Sequence, residues 1–246
     1  MMIAIRWALS ILYVVQNAVM MLVMGIVFLP WAIFSPKGAM MACKSYARWA
    51  IWTARWMVGI RSEVRGTVPT DAVLVAAKHQ SFLDILMIFN AVPQPRFIMK
   101  YELMFTPIIG LYAWRLGCVP VRRGKRGAAI KAMLEDVDSG RVAPGQLVIY
   151  PQGTRVPAGQ YRPYKVGPYV LYKETGQAAV PVATNAGLFW PKGTMLRTPG
   201  LAVVDFLDPI APGRGQEPFM QHLETVVEDR SNALMREAGF DADAIR

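Results

Sequence analysis

The stretch Val75-Ala76-Ala77-Lys78-His79-Gln80-Ser81-Phe82-Leu83-Asp84 joins two different patterns of apolar residues. The apolar run at 72–77 predicts a buried strand, and the run at 82–91 predicts a helix. His79 therefore follows the carboxyl end of a strand, where α/β sheets place their ligands. Short strand-like runs and helical runs alternate from Asp71 onward, which predicts an α/β sheet domain.

Further elements follow from the same periodicities. Buried strands are predicted at 96–100, 118–121, 147–150, 178–182 and 201–207. Helices are predicted at 107–115, 126–138, 166–175 and 217–237. The sequence contains no internal repeat and no low-complexity linker between these elements.

His79 and Asp84 have two interpretations. Ser81 and Asp84 have the spacing of a capping box, in which Asp84 only stabilises the start of a helix. Alternatively, the Asp84 carboxylate keeps one ring nitrogen of His79 protonated while the other nitrogen acts as a base. Such a pair lacks the serine of a Ser-His-Asp triad, so it suits direct attack by a substrate hydroxyl. The other histidine, His222, falls in a charged helix and is predicted to be a solvated surface residue.

A second informative stretch is Val148-Ile149-Tyr150-Pro151-Gln152-Gly153-Thr154-Arg155, in which a strand opens into a tight turn. Backbone amides of such a turn, with the Thr154 hydroxyl and the Arg155 guanidinium, can bind a phosphate. The alternative is that Gly-Thr-Arg is only a turn. The pattern alone leaves both interpretations open.

The composition excludes several classes of protein. The chain has 246 residues, of which 54% are hydrophobic and 18% are charged, whereas ordinary soluble domains have about 25% charged residues. A disordered tail and a collagen-like fibre are excluded, and part of the chain is expected in lipid. The two cysteines, Cys43 and Cys118, have no metal-ligand or redox spacing, so neither a zinc site nor a disulfide framework is predicted.

The net charge of +10 indicates an anionic partner. Composition alone does not choose among nucleic acid, an anionic membrane surface and acidic small molecules such as coenzyme A. The basic residues accompany a lipid-seeking segment, and no nucleic-acid recognition motif is present in the sequence. Nucleic acid is therefore not predicted as a partner.

Residues 1–60 are predicted to form a membrane-anchoring helical segment, and residues 61–246 the α/β domain. No charged residue lies between Arg6 and Lys37, and about 20 apolar residues suffice to cross a bilayer core. The amides of Gln16 and the next residue, in the middle of this stretch, leave open a helical hairpin inserted in one leaflet instead of a full span.

The segment 38–60 has the pattern of an interfacial helix. At about 100° per residue, its cations Lys44, Arg48 and Arg55 fall within about 40° of one another, and three tryptophans occupy the adjoining sector. The alternative is a core helix of a soluble protein. These cations outnumber Arg6, so the positive-inside rule predicts that the rest of the protein is cytoplasmic.

Together, the two stretches resemble the 1-acyl-glycerol-3-phosphate (lysophosphatidic acid) acyltransferase family of glycerolipid acyltransferases. The marks of that family are a histidine and an aspartate separated by four residues, as in His79 and Asp84, and a later Pro-Glu-Gly-Thr-Arg block, which 151–155 resembles. The segment 100–123 resembles the family's second block, and Val180-Pro181-Val182 resembles its fourth.

The resemblance implies the fold and the site. The fold is α/β, a mixed sheet flanked by helices as in glycerol-3-phosphate acyltransferases, with an N-terminal membrane-inserted helical segment. His79 is implied as the general base and Asp84 as the residue that orients it. The implied binders of the acceptor's phosphate are Lys100, Arg123 and Arg155, in a pocket that Gly153 and Thr154 shape. No metal or cofactor is implied, because a thioester is already an activated acyl donor.

The implied reaction moves a fatty acyl group from acyl-CoA or acyl carrier protein to the free hydroxyl of 1-acyl-glycerol-3-phosphate, forming phosphatidic acid in phospholipid synthesis. The implied location is the cytoplasmic side of the cell inner membrane, with membrane lipids, a lysophospholipid acceptor and the acyl donor as partners. Two alternatives remain: an acyltransferase for another lysolipid such as lyso-ornithine lipid, and a non-catalytic membrane protein that binds phospholipid.

The chain departs from the family pattern at two positions. The residue before the histidine is commonly asparagine in the family and is Lys78 here, and the glutamate of the later block is Gln152. Glutamine keeps one acceptor oxygen and adds an NH₂ donor. We therefore expect Gln152→Glu to retain activity within about tenfold, or about 1.4 kcal/mol in the barrier. Gln152 is also the feature that keeps the non-catalytic alternative open.

Overall fold

The computed structural model describes residues 2–121 and 144–240. Its helices are α1 (Met2–Val27), α2 (Leu29–Phe34), α3 (Pro36–Met57), α4 (Phe82–Ala91), α5 (Ile109–Arg115), α6 (Gly167–Thr175) and α7 (Gln216–Glu237). Its strands are β1 (Ile60–Gly66), β2 (Leu74–Ala77), β3 (Pro95–Lys100), β4 (Val119–Val121), β5 (Gln146–Ile149), β6 (Ala179–Thr184) and β7 (Gly200–Phe206). Short 3-10 helices occupy Tyr101–Phe105 and Ala186–Leu188.

The strands form one mixed sheet in the order β1-β7-β6-β2-β5-β3-β4. Strands β2 to β6 share one direction, whereas β7 pairs antiparallel with β6 and parallel with β1. The predicted mixed α/β sheet flanked by helices is therefore confirmed. Because β2 and β5 are parallel neighbours, with Val75 opposite Val148, the turns that leave their carboxyl ends lie side by side.

Different helices cover the two faces of the sheet. Along β2, Val75 and Ala77 belong to a core that includes residues of α3 and α4, whereas Leu74 and Ala76 belong to a core that includes residues of α6 and α7. Successive side chains of a strand point to opposite faces, so β2 is buried on both sides. Strands of this kind are continuous apolar runs, which is why the sequence predicts them.

Helix α3 connects the N-terminal helices to the sheet. Its buried face consists largely of small residues, namely Gly38, Ala39, Ala42, Ala47, Ala50, Thr53 and Ala54. Small side chains allow close packing, and the buried alanines of α3 share one continuous core with α4 and the sheet. The predicted division between 1–60 and 61–246 falls at the start of β1, and two separate domains stay a prediction.

Helix α1 is apolar, and its stretch Ile3–Val27 is long and apolar enough to cross a membrane by length and composition. The amides in its middle are bonded within the protein. Gln16 accepts a hydrogen bond from Nε1 of Trp49 at 2.8 Å and donates to Oγ1 of Thr53 at 3.1 Å. Nδ2 of Asn17 donates to the Tyr13 carbonyl of its own helix, and Oδ1 of Asn17 is buried with no hydrogen-bond partner among the described residues. Polar groups satisfied between helices are compatible with a membrane-inserted segment.

Helix α3 differs from the interfacial helix predicted at 38–60. It ends at Met57, because the first strand follows almost at once. Two of the side chains expected among headgroups contact protein instead: Trp49 donates to α1, and Nζ of Lys44 donates to the Val92 carbonyl at 2.6 Å. The exposed members of the pattern are Arg48, Trp52, Arg55 and Trp56. Angular periodicity defines a helix face but does not say which neighbour covers it.

Strand β1 is absent from the sequence-based prediction. It contains Arg61, Glu63 and Arg65, so no apolar run marks it, and most of its side chains are at least partly exposed at the sheet edge. Charged residues are common on edge strands. The helix predicted at 126–138 lies outside the described residues. The helix predicted at 82–91 is present with the predicted ends, and the other predicted strands and helices are present with shifted ends.

Candidate active site

His79 lies in the turn between β2 and α4 and is bonded to Asp84. Nδ1 of His79 is 2.9 Å from Oδ1 of Asp84. The other carboxylate oxygen, Oδ2, accepts backbone hydrogen bonds from Gln80 at 2.8 Å and Ser81 at 2.6 Å. The Ser81 hydroxyl accepts from the Leu83 N–H at 3.0 Å, which completes the capping box. The two interpretations of Asp84 are compatible, because one oxygen faces the histidine and the other the helix start.

The bond to Asp84 determines which nitrogen of His79 is available. A carboxylate can only accept hydrogen bonds, so in the neutral ring Nδ1 carries the proton and Nε2 has a free lone pair. The Asp84 side chain is 0% exposed and that of His79 is 11% exposed. His79 lines a cavity whose wall is mostly apolar. Nε2 is therefore the atom that can take a proton from a bound hydroxyl.

Tyr150 covers one face of the His79 ring. The two ring centroids are 3.9 Å apart and the planes are inclined by 18°. Tyr150 directly follows β5, so the pairing of β5 with β2 brings the two rings together. Burial, followed by the negative charge of Asp84, raises the pKa of Tyr150 well above its ordinary value. The phenol beside the histidine is therefore neutral.

The turn after β5 is docked on the turn after β2. The Val156 N–H donates to the His79 carbonyl at 2.8 Å, and the Gly153 N–H donates to the Tyr150 carbonyl at 2.9 Å. Gly153 has a φ of 68°, a left-handed conformation that favours glycine. The tight turn predicted here exists, but the structure corrects one detail. The Gly153 amide is bonded within the turn, so it is not a free donor for a phosphate.

The cavity beside His79 has a volume of about 690 Å³. It brings together the predicted residues His79, Lys100, Gly153, Thr154 and Arg155. Asp84 lies behind the histidine and does not line the cavity. Arg123 falls outside the described residues, so its predicted place in this site stays a prediction.

Most of the remaining cavity wall is apolar. It includes Met21 and Met24 of α1, Tyr46 of α3, Phe89 of α4 and Tyr112 of α5. Ligand pockets with an apolar wall and a few convergent polar groups are the usual form of a small-molecule site. The helices of the predicted membrane anchor therefore contribute directly to the wall of the candidate active site.

The cavity also contains residues that sequence reasoning missed. Lys165 and Lys192 line it beside Lys100 and Arg155, and no local pattern distinguishes these two lysines from other surface cations. The position of Tyr150 in the sequence could have indicated its place in the site, because Tyr150 directly precedes the block at 151–155. Four cations lining one cavity favour an anionic ligand.

Two thiols, Cys43 and Cys118, line the cavity, and neither is an activated nucleophile. Burial is the main cause that raises the pKa of Cys43 to about 12 and that of Cys118 to about 11, so both cysteines are neutral thiols, the less reactive form. Within residues 2–121 and 144–240, no group of three His, Cys, Asp or Glu side chains is placed to hold a metal ion. His222 is exposed on α7.

The acyltransferase family model matches residues 60–185, more than half of the chain. The chain belongs to the acyltransferase family. The match includes β1, both quoted stretches and every predicted site residue. The resemblance found in the sequence is therefore confirmed at the level of the family.

This acyltransferase is 29% identical over 177 residues to the 1-acyl-sn-glycerol-3-phosphate acyltransferase of Pseudomonas aeruginosa, a match that covers 71% of the chain and 68% of the relative. It is 30% identical over 169 residues to the human 1-acyl-sn-glycerol-3-phosphate acyltransferase alpha, covering 67% of the chain and 59% of the relative. The crystal structure of the 1-acyl-sn-glycerophosphate (LPA) acyltransferase from Thermotoga maritima superposes with a TM-score of 0.76 at 23% identity, over 92% of this chain and 95% of that one. The superposition shows a shared fold.

Proposed function

We propose that this acyltransferase moves a fatty acyl group from acyl-CoA or acyl carrier protein to the free hydroxyl of 1-acyl-glycerol-3-phosphate, forming phosphatidic acid. The observation that carries the proposal is the placement of His79. Its Nδ1 is bonded to Asp84 at 2.9 Å, and it lines an apolar cavity that also contains Thr154 and Arg155. A base, a phosphate-binding group and an apolar wall match this acceptor. The names of the relatives support the same substrate.

In the proposed reaction one proton is transferred twice, first to His79 and then from His79 to the leaving sulfur. Nε2 of His79 accepts the proton of the acceptor hydroxyl as the hydroxyl oxygen forms a bond to the thioester carbonyl carbon. The C–S bond then breaks, and the leaving sulfur takes the proton from the His79 imidazolium. The buried Asp84 carboxylate stabilises that imidazolium between the two transfers. The products are phosphatidic acid and the free thiol of the donor.

The acceptor's phosphate is assigned to the cationic part of the cavity wall. Arg155 presents a planar fork that can bind two phosphate oxygens at once, and the Thr154 hydroxyl can donate beside it. Lys100 adds a positive charge from the end of β3. Arg123 is proposed as a further phosphate binder on the strength of the sequence pattern alone. Gly153 shapes the turn that carries Arg155.

The apolar part of the cavity is assigned to an acyl chain. Met21 and Met24 of α1 and Tyr46 of α3 contribute to this wall. An acyl chain bound there contacts the helices that we propose to lie in the membrane. The lysophospholipid acceptor can then remain close to the lipid phase while its headgroup reaches His79.

We further propose that α1 anchors the protein in the cell inner membrane, with the sheet on the cytoplasmic side. The support is the apolar stretch Ile3–Val27 and the excess of cations after it compared with Arg6 alone before it. The expected partners are membrane lipids, the lysophospholipid acceptor and the acyl donor.

Acyl transfer by purified protein in detergent tests the proposal. Labelled acyl-CoA or acyl carrier protein is offered with lysophosphatidic acid or with lyso-ornithine lipid. We expect labelled phosphatidic acid from wild type and a loss of about 10²-fold to 10⁴-fold in rate for His79→Ala, the usual contribution of a general base. If acyl transfer occurs only to lyso-ornithine lipid, that lipid and not lysophosphatidic acid is the acceptor. No transfer with any pair of substrates would favour the non-catalytic alternative.

A further inference from the structure

Glu228, on helix α7, contacts side chains from both turns of the candidate active site. Its two carboxylate oxygens each lie 2.6 Å from Nζ of Lys78, the residue directly before His79. Its Oε1 accepts from the Tyr164 hydroxyl at 2.9 Å and is 3.5 Å from Nε2 of Gln152. One carboxylate thus touches both positions at which the chain departs from the family pattern.

The charges in this group are buried and balanced. The side chain of Lys78 is 2% exposed and that of Glu228 is 16% exposed, and Gln152 is fully buried. A buried ammonium left without a counter-charge is strongly destabilising, and Glu228 supplies that counter-charge. Burial, followed by the charge of Glu228, raises the pKa of Tyr164, so this phenol remains a hydrogen-bond donor.

The amide of Gln152 has a defined orientation. Its Nε2 faces two acceptors, the Glu228 carboxylate and the Arg162 carbonyl at 3.4 Å, so the NH₂ group and not the oxygen must point this way. Its Oε1 is buried and has no hydrogen-bond partner among the described residues. A glutamate at this position would bring a second carboxylate against Glu228. From the sequence alone, Gln152→Glu is expected to retain activity within about tenfold; from this geometry we expect a larger loss.

We propose that Glu228 is a positioning residue for acyl transfer, which supplies from α7 the negative charge that the family pattern places on residue 152. This inference rests on the proposed function. His79 follows Lys78 directly and Gly153 follows Gln152 directly, so an unbalanced charge between the two turns displaces the base relative to the phosphate-binding turn. Neither Lys78 nor Gln152 lines the cavity, so Glu228 acts through its neighbours and not on the substrate.

A cycle of carboxylate exchange tests this inference. Glu228→Gln leaves the Lys78 ammonium uncompensated, and Gln152→Glu adds an uncompensated carboxylate. The double variant Glu228→Gln/Gln152→Glu restores neutrality with the carboxylate moved to the turn. We expect each single variant to lower kcat per folded molecule by about tenfold or more and to raise the KM for lysophosphatidic acid. We expect the kcat of the double variant to recover to within about threefold of the wild-type value. Such non-additive effects are typical of residues that belong to one network of contacts.

Glu224→Gln is the matched control. Glu224 lies on the same helix and accepts a hydrogen bond from Tyr161, in the segment that also provides Tyr164. It therefore resembles Glu228 in its tyrosine contact, but among the described residues it forms no hydrogen bond with Lys78 or Gln152. We expect its kinetic constants to match those of wild type. Folded protein in each sample is measured by thermal unfolding in detergent. This measurement separates a loss of folded protein from a displacement of His79 relative to the phosphate-binding turn.

The outcomes separate this inference from the proposed function. If Glu228→Gln does not fold, the comparison of Gln152→Glu with the double variant carries the test alone. An active wild type whose Glu228→Gln and Gln152→Glu variants keep their turnover, or whose double variant is no better than the worse single one, overturns the inference only. A wild type without acyl transfer overturns the proposed function and this inference with it.

Discussion

The Asp84 side chain makes two kinds of contact at once. Its Oδ1 holds Nδ1 of His79, and its Oδ2 accepts from the backbone at the start of α4. A capping box and a histidine-orienting carboxylate need the same short spacing, so the sequence pattern could not separate them. The structure shows that the spacing serves both contacts.

Asp84→Asn should therefore harm turnover and stability together. An amide NH₂ facing His79 favours the tautomer with the proton on Nε2, which cannot act as a base, so we expect kcat to fall by about 10²-fold or more. The unfolding free energy should fall by about 1 kcal/mol through the weakened cap. Ser81→Ala removes the hydroxyl that caps α4 and donates to the Trp190 carbonyl, but it leaves the contact of Asp84 with His79 in place. It should lower stability and keep turnover per folded molecule. Equal turnover for Asp84→Asn and wild type would remove Asp84 from the site.

Arg155→Lys keeps the charge and loses the planar fork. If Arg155 binds the acceptor's phosphate at two points, one charge-assisted hydrogen bond of about 1.5 kcal/mol is lost. We expect the KM for lysophosphatidic acid to rise by about tenfold, with the KM for the acyl donor nearly unchanged. Arg162→Lys, an exposed arginine near the same turn, is the control. A selective rise in the donor's KM would assign Arg155 to the other substrate.

Among the contacts between secondary-structure elements, the contact between α1 and α3 positions a wall of the cavity. Gln16 connects the two helices through Trp49 and Thr53, while α1 also contributes Met21 and Met24 to the cavity wall. The position of α1 on α3 therefore sets the shape of the proposed acyl site. Apolar surface alone does not specify this position, because lipid and protein interiors are similarly apolar.

Gln16→Leu tests that contact. The substitution makes α1 more apolar but leaves the Trp49 N–H without its partner, so we expect the unfolding free energy in detergent to fall by about 1 to 3 kcal/mol. Membrane attachment should be unchanged. Leu12→Ala, on the exposed face of the same helix (55% exposed), should have a smaller effect on thermal unfolding. Stability equal to wild type would mean that the Gln16 contact contributes nothing measurable.

The whole molecule exposes an extensive apolar surface on its N-terminal helices. Residues of α1 such as Ile3, Leu12 and Leu22 are more than half exposed, and so are Trp52 and Trp56 of α3. Exposed apolar surface of this extent is unusual for a soluble monomer. Basic residues alone would give an attachment that salt screens.

We accordingly expect the protein to stay in the membrane pellet through high-salt and carbonate washes. The double variant Arg48→Gln/Arg55→Gln should also remain in the carbonate pellet, because it loses interfacial charge and keeps the apolar surface. Immunoblots of pellet and supernatant measure the outcome. Wild-type protein in the salt-washed supernatant would contradict insertion of residues 7–34.

Features that depend on neighbours along the chain were predictable from the sequence. Strand β2 is a short apolar run because both its faces are buried, and α4 begins at Phe82 because Ser81 caps it. The His79 and Asp84 pair follows from the same short spacing. The family could be predicted from these local patterns, because the order of its blocks is itself a property of the sequence.

Contacts between residues far apart in the chain could be found only in the folded protein. Lys78 and Glu228 are 150 positions apart, and Gln16 and Trp49 are 33 apart; periodicity within one element carries no information on such contacts. Strand β1 was missed because its charged side chains at the sheet edge leave no apolar run. The packing of α1, α3 and α7 against the sheet determines these contacts, since it depends on apolar surfaces that become adjacent only when the chain is folded.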